Sequence, residues 1–81
     1  MPLFYFNFID TGRRENDEVG VGCASVEEAR TLALATLGEI AEDKLSDGDT
    51  REFVIEIRDD NGSRPLLRAT LSMRVDRLDG G

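Results

Sequence analysis

The side chains that usually carry out chemistry are scarce in this sequence. It has no His and a single Cys, Cys23. A zinc site of the ordinary Cys and His kind cannot be assembled from that inventory, so neither a metal nor a cofactor is expected. The Ser-His-Asp and Cys-His arrangements of nucleophilic catalysis are excluded for the same reason. Acid–base catalysis would fall to carboxylates, Lys44 or Tyr5. Carboxylates number 17 in 81 residues, but they are spread along the chain and read as solvated surface. No catalytic residue is singled out, and the chain reads as a non-enzyme.

The remaining candidates have simpler explanations. Cys23 cannot form a disulfide within one chain, and no Lys or Arg lies within six residues to activate it. It reads as a small core residue in a reducing compartment. Gly20-Val21-Gly22 precedes a helix, as a phosphate loop would. The helix entry carries Glu27 and Glu28, however, which repel an anion, so the glycines read as a chain reversal. Asp10, Glu15, Asp17 and Glu18 gather near one loop, and Asp59, Asp60 and Asn61 at a turn. Neither group has the spacing of an EF-hand loop. Arg13-Arg14 is the only basic doublet, and Arg58, Arg68 and Arg74 share one strand parity with Glu52 and Glu56. Cross-strand ion pairs account for those arginines more simply than a nucleic-acid platform does.

Ten Lys and Arg against 17 Asp and Glu give a net charge of −7. That balance argues against general binding to nucleic acid or anionic lipid. No apolar run approaches the roughly 20 residues of a bilayer span, and the N-terminus lacks the pattern of a signal peptide. A cytoplasmic protein is expected, a single α+β domain over residues 1–81 with residues 79–81 frayed.

Phe4, Phe6 and Phe8 alternate with Tyr5, Asn7 and Ile9, which predicts a strand over residues 3–10. Residues 11–17 read as a polar loop, and residues 18–22 as a short second strand weakened by its glycines. Ser25-Val26-Glu27-Glu28 is a capping-box sequence, with Ser25 accepting from the Glu28 N–H and Glu28 returning the bond to Ser25. From there Ala29, Leu32, Ala33, Leu37, Ile40, Ala41 and Leu45 make an apolar stripe, so a helix is predicted over about residues 25–45, ending before Ser46-Asp47-Gly48-Asp49. Gly38 lies within it, as if to allow close approach to a sheet.

Residues 52–58 form the next strand, with Phe53, Ile55 and Ile57 on one face, and residues 66–76 the last. Asp59-Asp60-Asn61-Gly62-Ser63 reads as the turn between them. A two-residue loop would set Ile55 opposite Arg68, against the one-face rule. A three-residue loop with Gly62 left-handed restores the phase and sets Ile55 opposite Leu67 and Phe53 opposite Ala69. The order β-(β)-α-β-β then gives one amphipathic helix on a three- to four-stranded, mostly antiparallel sheet, a two-layer sandwich.

One helix cannot cover both sides of a sheet. Parity places Tyr5, Ile9, Val54, Leu66, Arg68, Thr70 and Arg74 on the open face, and these are the candidate interface residues. The last strand, roughly 36 Å at about 3.3 Å per residue, overhangs the first and offers an edge. A homodimer through that face or edge is expected.

Met1-Pro2 with an aromatic strand, Asp10 and a Gly, then Asp17-Glu18-x-Gly20 and Val26-Glu27-Glu28-Ala29-Arg30, resembles a family of small uncharacterised bacterial proteins of rhizobial-type alphaproteobacteria. The strand and turn Ile55-Glu56-Ile57-Arg58-Asp59-Asp60-Asn61-Gly62 also fit that family. The resemblance implies a stand-alone cytoplasmic domain of unknown function and supplies no catalytic residues. A looser similarity runs to HicB-type antitoxins, which also pass from a strand through a Gly-containing turn into a Glu-Glu-Ala helix. Such antitoxins add a DNA-binding tail that this chain lacks, so a full autoregulating antitoxin is not expected. The function expected is a small non-enzymatic protein-interaction module, homodimeric, acting on an unidentified protein partner. The alternative is an antitoxin-like inhibitor that masks a basic toxin.

Overall fold

A computed structural model describes residues 1–46, 48–62 and 64–80. The elements run β1 (Leu3–Asp10), β2 (Arg13–Glu15), β3 (Val21–Gly22), α1 (Val26–Lys44), β4 (Thr50–Asp59) and β5 (Leu67–Arg74). Expectations that fall on Asp47, Ser63 and Gly81, in two turns and at the C-terminus, lie outside the described residues.

Apolar alternation forms the three long strands. The strand order is β2-β1-β4-β5, all antiparallel, and β3 also pairs with β1. The aromatic face of β1 and the Phe53, Ile55 and Ile57 face of β4 turn the same way, because Phe6 pairs with Ile57 and Phe8 with Ile55. Ala29 and Ala33 of α1 are fully buried against that face and Leu37 nearly so. Two alanines one turn apart let the helix backbone sit close to the sheet. Gly38 has no such role, since nothing lies within 4 Å of the position its Cβ would take.

The helix begins as the capping sequence dictates. Ser25 Oγ accepts from the Glu28 N–H at 3.2 Å. The returning bond differs from expectation by one residue: Glu28 Oε1 accepts from the Ala24 N–H at 3.3 Å. Leu32, expected in the buried stripe, is 41 % exposed. The helix packs on β4 and β5, which leaves Leu32 at the margin above β1.

Two strand expectations need correction. The polar segment Arg13–Glu15 is a strand, β2, paired with Phe8 to Asp10. Only Val21–Gly22 of the expected 18–22 strand pairs at all. The β4–β5 register is also different. Ile55 pairs with Ala69 and Phe53 with Leu71, two residues further along than the tight loop would set them. The core face is preserved, because a shift of two keeps the pleat phase. Gly62 is not among the left-handed glycines, and the connection runs on to Pro65 before β5 begins. All of β5 lies alongside β4, so the expected overhang is absent.

Candidate interaction surfaces

A sheet ends in two edges, and the two edges of this one are treated differently. Alternate residues of β1 turn their backbone groups away from β4. Phe4 meets Val21 of β3, while Phe8 and Asp10 meet Glu15 and Arg13 of β2. Between them, on this side of β1, Phe6 faces neither short strand, and its N–H donates to Asp17 Oδ2 at 3.1 Å. Oδ1 of the same carboxylate accepts from the Val19 and Gly20 N–H groups, each at 3.0 Å. The Asp17 N–H in turn donates to Asn7 Oδ1 at 2.9 Å. One carboxylate therefore closes the gap between two short strands. Burial pushes the Asp17 carboxyl up, but the N–H groups of Gly20, Phe6 and Val19, with the Arg58 guanidinium, outweigh it and hold its pKa below the usual value.

Gly20 makes that loop possible. Its φ is +83°, and a Cβ there would stand 3.0 Å from Cε2 of Tyr5. The Tyr5 ring is itself fixed, with the Arg58 guanidinium 4.4 Å from its centroid. Gly20→Ala is expected to cost about 1–2 kcal/mol from the left-handed backbone alone. A lowered thermal midpoint with unchanged far-UV circular dichroism checks this.

The far edge is open. The Val75 N–H donates to Asp49 O at 2.7 Å, which continues the register of Thr50 with Arg74. Odd-numbered residues of β5 thus bond to β4, and Arg68, Thr70, Ser72 and Arg74 turn their N–H and C=O groups outward. Among the described residues no hydrogen bond meets those outward groups. Leu66, 52 % exposed, stands just before the strand, and its N–H donates inward to Ile57 O at 2.7 Å.

The sheet face opposite the helix is less open than parity implies. Val54, expected as an exposed contact, is 7 % exposed, and Asn7 and Glu56 are each at 6 %. Arg14 of β2 and Arg68 of β5 reach over them from either side. Arg14 Nη2 donates to Glu56 Oε1 at 2.9 Å, and Arg68 donates to Oε2 from Nε at 2.9 Å and Nη2 at 2.6 Å. Bonding to Arg68 lowers the Glu56 pKa; burial opposes this, and Arg14 adds to the lowering. Tyr5 and Ile9 are half-buried at one side of this network, and Thr70 and Arg74 are exposed on the β5 side. Of the seven candidate interface residues, the structure brings Arg68, Thr70 and Arg74 together along the open edge, with Leu66 at its start.

The acidic loop does not act as one cluster. Arg51 Nη2 bonds both Asp10 oxygens, at 3.1 and 2.9 Å, on the helix side of the sheet, while Asp17 serves the backbone on the β1 edge. Among the described residues no three acids or cysteines stand in a group able to hold a metal ion. The Cys23 thiol is buried, and burial with the nearby Glu28 charge raises its pKa, which keeps it protonated and unreactive. An apolar groove lined by Phe6, Phe8, Val21, Leu32 and Ile40 remains on the helix side, where α1 leaves β1 uncovered.

These features define a small α+β domain with one sealed and one open sheet edge. Residues 3–72 match a domain of unknown function, DUF6894, and the chain belongs to that family. No curated protein and no solved structure matches it. The match carries the expected family-level resemblance, and neither a bacterial group nor HicB-type antitoxins enter into it. Among the described residues no helix is long and apolar enough to cross a membrane.

Proposed function

We propose that the protein is a non-enzymatic interaction module that works as a homodimer, with the β5 edge as its contact surface. The supporting observation is the unequal treatment of the two edges. The β1 edge is closed by β2, β3 and the Asp17 carboxylate, while the backbone groups of the four outward residues of β5 meet no hydrogen-bond partner among the described residues. An open edge is a template for another strand. The arginines nearest it do not form a phosphate-binding patch, since Arg68 is tied to Glu56 and Arg74 to Asp76. The free, buried Cys23 thiol fits the cytoplasm.

Sedimentation velocity at high micromolar concentration should show a dimer, and a monomer alone would end this reading. Thr70→Pro sharpens the test. The Thr70 N–H faces outward, so proline removes a donor only from the free edge, where it is tolerated. The variant is expected to stay folded and to sediment as a monomer.

A second reading is favoured by the outer face of α1, where Glu28, Glu39, Glu42 and Asp43 are exposed. That face suits an inhibitor that masks a basic toxin. Its test is capture of a basic partner that is released by salt and by charge reversal at Glu39 and Glu42.

A further inference from the structure

We propose that β5 pairs antiparallel with β5 of a second copy in one register, centred on Ser72, which sets Arg68 opposite Asp76 of the second copy. This rests on the dimer reading above and adds the geometry of the contact.

A two-fold pairing of outward-facing residues allows three registers near the middle of the strand, centred on Thr70, Leu71 or Ser72. The register centred on Thr70 needs Leu66 to turn outward toward Arg74 of the second copy. The Leu66 N–H is already committed inward to Ile57 O at 2.7 Å, so that register keeps only the pairs of Arg68 with Ser72 and Thr70 with Thr70. The register centred on Leu71 uses the strand fully but sets Arg68 opposite Arg74 at both ends. Like charges directly opposite are unfavourable.

The register centred on Ser72 avoids both faults. Ser72 meets Ser72, Thr70 meets Arg74, and Arg68 meets Asp76. The strand geometry needed at Asp76 is in place, because the Val75 N–H bonds Asp49 O at 2.7 Å and so continues the ladder past Arg74. The segment from Arg64 to Arg77 carries four arginines and only Asp76 as an acid. Of the three registers, this one alone places an acid opposite a base. It extends the row Arg14–Glu56–Arg68 to Asp76 and Arg74 of the second copy, with alternating sign along its length. On the helix side it sets Leu71 against Met73 and Ala69 against Val75, which is 51 % exposed in one chain.

Cysteine cross-linking of the full chain tests the register. Ser72→Cys should form a disulfide-linked dimer on mild oxidation, since opposed Cα atoms in such a pair stand about 5.5 Å apart. Thr70→Cys and Leu71→Cys should cross-link poorly, and the wild-type chain should not cross-link, because Cys23 is buried. Asp76→Lys, at an exposed site, should weaken dimerisation about tenfold through the two symmetric pairs it reverses. Dominant cross-linking through Thr70→Cys or Leu71→Cys would overturn the register while leaving the dimer intact. An Asp76→Lys chain that dimerises as tightly as wild type would also overturn it. A wild-type chain that sediments only as a monomer would remove the dimer reading and the register with it.

Discussion

Replacing Asp17 with Ala should lower the unfolding free energy by about 3 kcal/mol, a large share for a domain whose whole stability lies near the bottom of the roughly 5–15 kcal/mol range. Three backbone N–H groups lose their acceptor at once, those of Phe6, Val19 and Gly20. Val19 and Gly20 recover water more easily, because their loop is at the surface. Phe6 does not, since its N–H points into the gap between β2 and β3. Asp17→Asn is not a conservative rescue. The carboxylate accepts through both oxygens, and an amide must turn its NH2 toward one set of donors. Both variants should also loosen the β1 edge, and faster hydrogen exchange at Phe6 than at Ile55 would locate the damage.

The same carboxylate gives the stability its pH dependence. The folded-state pKa of Asp17 is lowered, and so is that of Glu56. A carboxyl more acidic in the folded chain contributes stability that is fully present above the ordinary carboxylate range, about pH 4, and is lost as pH falls through the lowered value. Urea midpoints should therefore hold from pH 7 to pH 5 and fall below about pH 4, more shallowly in Asp17→Ala than in wild type. A midpoint that rises on acidification would contradict the assignment.

The fold was legible wherever burial imposed a period. Phe4, Phe6 and Phe8 repeat every second residue, and Ser25 with Glu28 marks a helix start whose first bond has the expected partners. The β4–β5 pleat phase followed from the one-face rule, because any register that turns Ile55 and Leu71 to opposite sides leaves apolar area in water. The absolute register did not follow. Parity excludes odd shifts but not a shift of two, and Pro65 lengthens the connection in a way the Asn-Gly signal hides. Strand β2 was illegible because Arg13-Arg14-Glu15 has no apolar residue, since it buries nothing and is held by backbone pairing to β1.

That one omission accounts for the misreading of the surface. Without β2, Arg14 is a loop residue and Glu56 an exposed partner of Arg68, so the sheet face appears open and Val54 available. With β2 in place, Arg14 lies across the sheet from Arg68 and the two guanidinium groups cover the centre between them. Asp17 was missed for a related reason, because a carboxylate that completes a backbone ladder leaves no periodic trace. Its signal is local: an Asp followed two and three residues later by the N–H groups it accepts from, with Gly at the left-handed position, is the pattern of an Asx-type turn.

Glu56→Lys should be the most damaging single change on the surface that this network closes, at about 3–5 kcal/mol. It removes the one acid shared by Arg14 and Arg68 and sets a third cation between them at a site only 6 % exposed. Glu56→Ala should cost less, about 2 kcal/mol, because the two arginine side chains are 47 % and 62 % exposed and can return to water. Glu56→Leu should come close to wild type at pH 7. It refills the space over Val54 with apolar volume, and its charged neighbours keep their access to solvent. Thermal unfolding of the three variants should rank them Leu, Ala, Lys from most to least stable. If the Leu variant proves as unstable as the Lys variant, the buried carboxylate is needed to define the register of β4 against its neighbours, and the network is a specificity device rather than a cover for the sheet.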